Sequence, residues 1–138
     1  METYIISQHI RVFCITATSF PAGIGEAWKL LGEKVPGSQN RKHYGISQGS
    51  ENGTIIYKAA VEESVPGEPL PAGCETFIIT NGNYLSKTIN NWRADETIIG
   101  KTFQQMVQHP QLDRNGYCVE IYLNEQDVIC LAKLADER

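Results

Sequence analysis

Tyr117-Cys118-Val119-Glu120-Ile121-Tyr122-Leu123 is the stretch whose reading decides the rest of the chain. Strand side chains alternate, so Tyr117, Val119, Ile121 and Leu123 point one way and Cys118, Glu120 and Tyr122 the other. The first set is apolar and reads as core. The second sets a carboxylate between a thiol and a phenol, which packing alone does not require. Aromatic surface strips part of a carboxylate's hydration, and its charge is then costly unless a partner compensates it. A bound cation or a polar ligand group meets that need; a glutamate on a solvated rim has no such need.

Downstream, residues 128–134 return as a hairpin partner through Asn124-Glu125-Gln126-Asp127. Upstream, Asp95 caps a helix whose stripe of Ile99, Phe103, Met106 and Val107 ends at His109-Pro110. Two extended pieces, 76–80 and 84–92, precede it around Asn81-Gly82. The second puts Tyr84, Ser86, Thr88, Asn90 and Trp92 on one polar-aromatic face suited to a cleft wall. Pro66, Pro69 and Pro71 then make residues 66–73 a connector, since proline fits neither helix interiors nor central strands.

The first half predicts a long strand over 4–18, with Tyr4, Ile6, Ile10, Val12 and Cys14 on one face and Ile5, Phe13 and Ile15 on the other. Ser19 caps the following helix and Pro21 suits its first turn. Ile24, Ala27, Trp28 and Leu31 form its buried stripe, with Trp28 as a core anchor and the end near 32–37. Strands at 44–47 and 54–61 pair through a 48–53 turn carrying two glycines and an asparagine.

Tyr44-Gly45-Ile46-Ser47 thus follows the first helix as Tyr117-Cys118-Val119-Glu120 follows the second. The expected fold is α+β: two pseudo-symmetric strand-helix-strand-strand units, about 1–65 and 74–138, forming one antiparallel sheet in a single domain. Both helices lie on one face and a ligand groove on the other. If Ile24, Leu31, Phe103 and Met106 form the core with Val119 and Ile121, Glu120 turns away from the helices, and the groove is lined by Tyr84, Trp92, Glu120 and Tyr122.

Composition narrows the function. The chain has 138 residues, 41% hydrophobic and 20% charged, enough for one folded domain. A net charge of -4 argues against direct nucleic-acid binding, and the one basic cluster, Arg41-Lys42-His43, reads as a solvated loop. No signal-peptide pattern or membrane-length apolar run is present. Cys14, Cys74, Cys118 and Cys130 form no C-x-x-C pair and read as reduced thiols in a cytoplasmic protein. With His9, His43 and His109 they show no ligand spacing, so neither a metal nor a cofactor is expected.

Over nearly its whole length the chain resembles the GyrI-like small-molecule-binding domains, which also form the effector-binding part of AraC-type and MerR-type transcription activators. Phe20-Pro21-Ala22-Gly23-Ile24 leading to Ala27-Trp28, Tyr44-Gly45-Ile46-Ser47 and Tyr57-Lys58-Ala59-Ala60 look like that family's first half. Residues 78–84 with Trp92 are similar to its second-half turn and following tryptophan. Val119-Glu120-Ile121-Tyr122 resembles its "aromatic, glutamate, any, tyrosine" signature. The turn proline is replaced here, and the residue before the glutamate is Val119 rather than an aromatic.

The resemblance implies a stand-alone ligand-binding protein, since the first strand begins close to Met1 and leaves no room for a helix-turn-helix. It would sense or sequester an amphipathic small molecule, with cations among the candidates, using Glu120, Tyr122, Tyr84 and Trp92. Any link to transcription would run through a partner protein, and a homodimer or a topoisomerase partner stays open. The alternative is a hydrolase of strained cyclopropane-bearing electrophiles, with Glu120 and Tyr84 or Tyr122 directing proton transfer.

Overall fold

The computed structural model describes residues 1–50 and 52–136; Glu51, within the expected 48–53 turn, lies outside the described residues. The chain runs β1 (Glu2–Ile6), β2 (Ile10–Thr16), α1 (Ile24–Lys34), β3 (His43–Gly49), β4 (Ile55–Glu62), β5 (Glu75–Ile79), β6 (Gly82–Ile89), α2 (Ile98–Met106), β7 (Cys118–Tyr122) and β8 (Val128–Lys133). All strand pairs are antiparallel and join one eight-stranded sheet in the order β1-β6-β8-β7-β3-β4-β2-β5.

That order forces the sheet to curl. β1 and β2 are consecutive in the chain yet stand six strand spacings apart in the sheet, about 29 Å if it were flat at roughly 4.8 Å per strand. The link from Ile6 to Ile10 spans only about 14 Å when fully extended. The same constraint holds for β5 and β6, joined through Thr80 and Asn81. The ends of the sheet therefore come together as a half-barrel, and the expected long strand over 4–18 is instead two strands that serve opposite ends. Its alternation was nevertheless right. Tyr4, Ile6, Ile10, Val12 and Cys14 fill the inside of the curl with Tyr44, Ile46, Tyr84, Val119 and Leu131.

The helices occupy the outer face. Ala27, Leu31 and Val35 of the α1 segment pack with Phe13, Ile15, Tyr57, Ala59 and Val61. Met106 of α2 packs with Leu85, Ile89, Val128, Cys130 and Ala132. α1 thus lies on β2 and β4, and α2 on β6 and β8, while the central pair β3–β7 carries neither. Tyr117, Val119 and Ile121 belong to the inner cluster. Glu120 therefore faces the side that bears the helices, which corrects the expected placement of the groove on the opposite face. One face of β7 lies inside the curl, and the other looks into the gap between the two helices. Alternation separates two faces but does not tell which cover lies on which.

Local starts differ in detail. Gly23, not Ser19, stands at the N-cap of α1 without a side-chain cap, and Ser19 instead offers its carbonyl to the Gly23 N–H at 3.1 Å. Asp95 caps the turn that leads into α2, its Oδ1 accepting from Thr97 N at 3.1 Å and Thr97 Oγ1 at 2.6 Å. The connector after β4 is held by Arg41, whose guanidinium grips both oxygens of Glu68 at 2.7 and 2.8 Å. No helix among the described residues is long and apolar enough to cross a membrane.

Candidate functional site

Because α1 and α2 sit over the outer strands, a cleft of about 1570 Å³ opens between them above β3 and β7. Its floor follows from the register: His43 lies opposite Tyr122, Gly45 opposite Glu120, and Ser47 opposite Cys118. Phe20, Ile24 and Trp28 stand on the α1 side; Trp92, Ile99 and Phe103 stand on the α2 side.

Glu120 is at the centre. Its residue is only 9% exposed. Oε1 accepts from Tyr122 Oη at 2.6 Å and from Tyr57 Oη at 3.3 Å, and Trp28 Nε1 donates to Tyr57 Oη at 3.2 Å. This Trp28–Tyr57–Glu120–Tyr122 chain joins α1, β4 and β7. Oε2 receives no hydrogen bond from the described residues. No lysine, arginine or histidine among them pairs with Glu120 either.

The electrostatics follow from that isolation. Burial holds the Glu120 carboxyl above its ordinary range, against the opposing pull of its two phenol donors. Burial first, and the Glu120 charge second, push the phenols of Tyr57 and Tyr122 up. The same two causes lift the Cys118 thiol to about 11. The tyrosines and the thiol are thus neutral donors at ordinary pH, not charged partners.

Rings surround the carboxyl. Tyr122 meets Trp28 edge-on at 5.8 Å and Trp92 at 6.0 Å, Phe20 lies 6.1 Å from Tyr57, and His43 stacks on Trp28 at 5.7 Å. Trp92, in a short 3-10 turn, also supports the Arg93 guanidinium at 4.5 Å, and its buried Nε1 has no partner among the described residues.

Of the four residues expected at the site, the structure brings together Glu120, Tyr122 and Trp92. It does not bring Tyr84. That residue is fully buried inside the curl, where its hydroxyl donates to Thr80 O at 2.7 Å and shares a 2.8 Å bond with Tyr117 Oη. The expected face of 84–92 fails because β6 ends at Ile89 and the chain then turns, Asn91 adopting a left-handed φ of 54°. Trp92 is thereby carried to the outer face while Tyr84 and Ser86 stay on the inner one.

Tyr57, Gly45 and the polar end of Trp28 also belong to the site, beyond the four expected residues. Gly45 carried a usable signal, since a glycine inside a strand marks a close approach by something else. A Cβ at Gly45 would collide with Glu120 Oε1 and stand 2.5 Å from Tyr57 Oη. Nothing local marked Trp28 as more than core, because its ring does occupy the edge of a buried stripe.

No known family model matches the chain, and no curated protein does. Solved structures do match. An integron cassette protein from the mobile metagenome of Vibrio cholerae aligns at 14% identity and TM-score 0.70, covering 96% of this chain and 94% of its own. SAV2435, solved bound to tetraphenylphosphonium, aligns at 10% identity and TM-score 0.72, covering 96% and 92%. A candidate transcription regulation protein of Staphylococcus aureus MU50 aligns at 11% identity and TM-score 0.64, covering 98% and 97%. These likenesses show a shared fold.

Proposed function

We propose that this chain binds amphipathic organic cations in the cleft between α1 and α2, with Glu120 as counter-charge and Trp28, Tyr57, Trp92 and Tyr122 around the apolar body. The observation that carries this reading is the buried Glu120 carboxyl, which has no cation of the described residues beside it. An ionised carboxylate in such a place is costly, and a ligand cation offsets that cost. Each ring face adds about 0.5–2 kcal/mol through cation–π contact, the upper end applying when water is excluded. The tetraphenylphosphonium held by SAV2435 supports this class of ligand.

The finer parts of the reading belong to the same proposal. The strand order is unchanged when β1–β4 are exchanged with β5–β8, which supports a duplicated unit of the GyrI-like, AraC-type effector-binding kind. The likeness to a candidate transcription regulation protein supports a sensing role.

Intrinsic fluorescence tests it directly, because both tryptophans of the chain line the cleft. Tetraphenylphosphonium should quench the signal saturably, and the anion of matching shape, tetraphenylborate, should not. Glu120→Gln should weaken the cation by about 1–3 kcal/mol, the scale for contacts to a charged group. Equal response to cation and anion would remove the electrostatic basis of the proposal.

A second reading rests on the 2.6 Å contact between Tyr122 Oη and Glu120. A carboxyl held above its ordinary range beside a phenol suits proton transfer to a strained cyclopropane-bearing electrophile. Tyr84, on the other face, takes no part in it. Turnover of such a compound, lost in Glu120→Gln, would favour this reading over simple binding.

A further inference from the structure

We propose that Glu120 holds a proton on Oε2 in the empty cleft and that a permanent organic cation displaces it, so that binding exchanges one cation for one proton. This rests on the cation-binding reading above and adds a proton stoichiometry to it.

The geometry separates the two oxygens. Oε1 takes both phenol donors, from Tyr57 and Tyr122, while Oε2 takes none from the described residues. A proton on Oε2 leaves both phenol bonds intact. Removing it places a full charge on a residue 9% exposed, with no countercharge among the described residues to receive it.

The neighbours on each packed element give the same answer. Tyr57 of β4, Cys118 and Tyr122 of β7, and Cys130 of β8 are neutral at ordinary pH, the last with its thiol pushed up to about 12 by burial and by Glu120. The other charged or titratable residues of the cleft lining are Arg41, Lys42, Arg93, Glu96, Glu125 and, on the floor opposite Tyr122, His43. Arg41 is held by Glu68, and Arg93 lies on the Trp92 ring with its Nε on Glu125 O; none pairs with Glu120. Burial raises the carboxyl in the empty state, and a cation seated against the rings lowers it.

The step balances. The O–H bond on Oε2 breaks, its electron pair stays on the carboxylate, the proton passes to buffer, and the cation takes its place as countercharge. By linkage, affinity for a permanent cation then rises about tenfold per pH unit while the empty site is protonated, and flattens once it is ionised.

Calorimetric titration of the wild-type chain with tetraphenylphosphonium, at fixed pH in buffers of different ionisation enthalpy, counts the protons released. The expected result is close to one proton at the acidic end of the folded range, falling toward zero as pH rises, with affinity climbing in step. Carbon-13 NMR of the labelled Glu120 carboxyl should show it protonated without ligand and ionised with it at the same pH. Tight binding with no proton release and affinity independent of pH would overturn the exchange while leaving cation binding in place. Absence of binding at every pH would overturn both. Glu120→Gln serves as the control in which residual binding carries no proton release.

Discussion

Gly45 and Glu120 face each other across the β3–β7 pair, and the missing side chain of the first leaves room for the carboxyl of the second to lie against Tyr57. β3 and β7 are the central strands of the sheet, one from each half of the chain, and neither helix covers them. Gly45 is therefore what lets the site bridge from β7 to β4 across the intervening strand.

Gly45→Ala should accordingly damage the site more than the fold. The atoms a Cβ would meet are the ends of two side chains, Glu120 Oε1 and Tyr57 Oη, so the strands can stay while the carboxyl and phenol move apart. Overpacking of this kind costs about 1–2 kcal/mol of stability. Tetraphenylphosphonium affinity should fall tenfold or more, read by tryptophan quenching beside a urea unfolding curve.

Tyr84→Phe should do the reverse. The lost hydroxyl bonds to Thr80 O and Tyr117 Oη inside the curl, on the face opposite the cleft. A loss of about 1–2 kcal/mol of stability is expected, with ligand affinity within about twofold of wild type. A large affinity loss with stability unchanged would restore Tyr84 to the site.

Glu120→Gln should change how stability depends on pH. The folded carboxyl is raised by burial, so the fold favours the protonated form. That contribution is fully present below the ordinary value of 4.5 and is lost as pH rises through the higher folded value. Wild type and variant should therefore unfold at similar urea concentrations near pH 4. Toward neutral pH they should diverge in favour of the glutamine, which carries no charge to bury.

Glu68 should behave in the opposite sense. Hydrogen bonds from the Arg41 guanidinium, followed by the Ser64 N–H, lower its carboxyl to about 2. The stabilisation is present above the ordinary value of 4.5 and disappears as pH falls through about 2. Carboxyl NMR should give a midpoint near 2 for Glu68 in the wild type, and Arg41→Gln should move it back toward the ordinary range.

Much of the architecture was legible in the residues. Alternation in 117–123 separated Val119 and Ile121 from Glu120 and Tyr122, and the stripes through Leu31 and Met106 located both helices, because each pattern is written within a single element. Glu120 and Tyr122 could be named as candidates because a carboxylate and a phenol on one strand face are chemically conspicuous, whereas Trp92, earlier in the chain, was reached through a strand face shared with Tyr84 that ends at Ile89. What surrounds each face is a property of pairs of elements. The break between β1 and β2, the outward turn at Asn91 and the seating of α1 and α2 over the outer strands all depend on closing a sheet whose consecutive strands stand at opposite ends. Only that closure decides that the inside of the curl takes Tyr84 and that the gap between the helices takes Glu120, where Tyr57, donated by a strand two places away, becomes its hydrogen-bond partner.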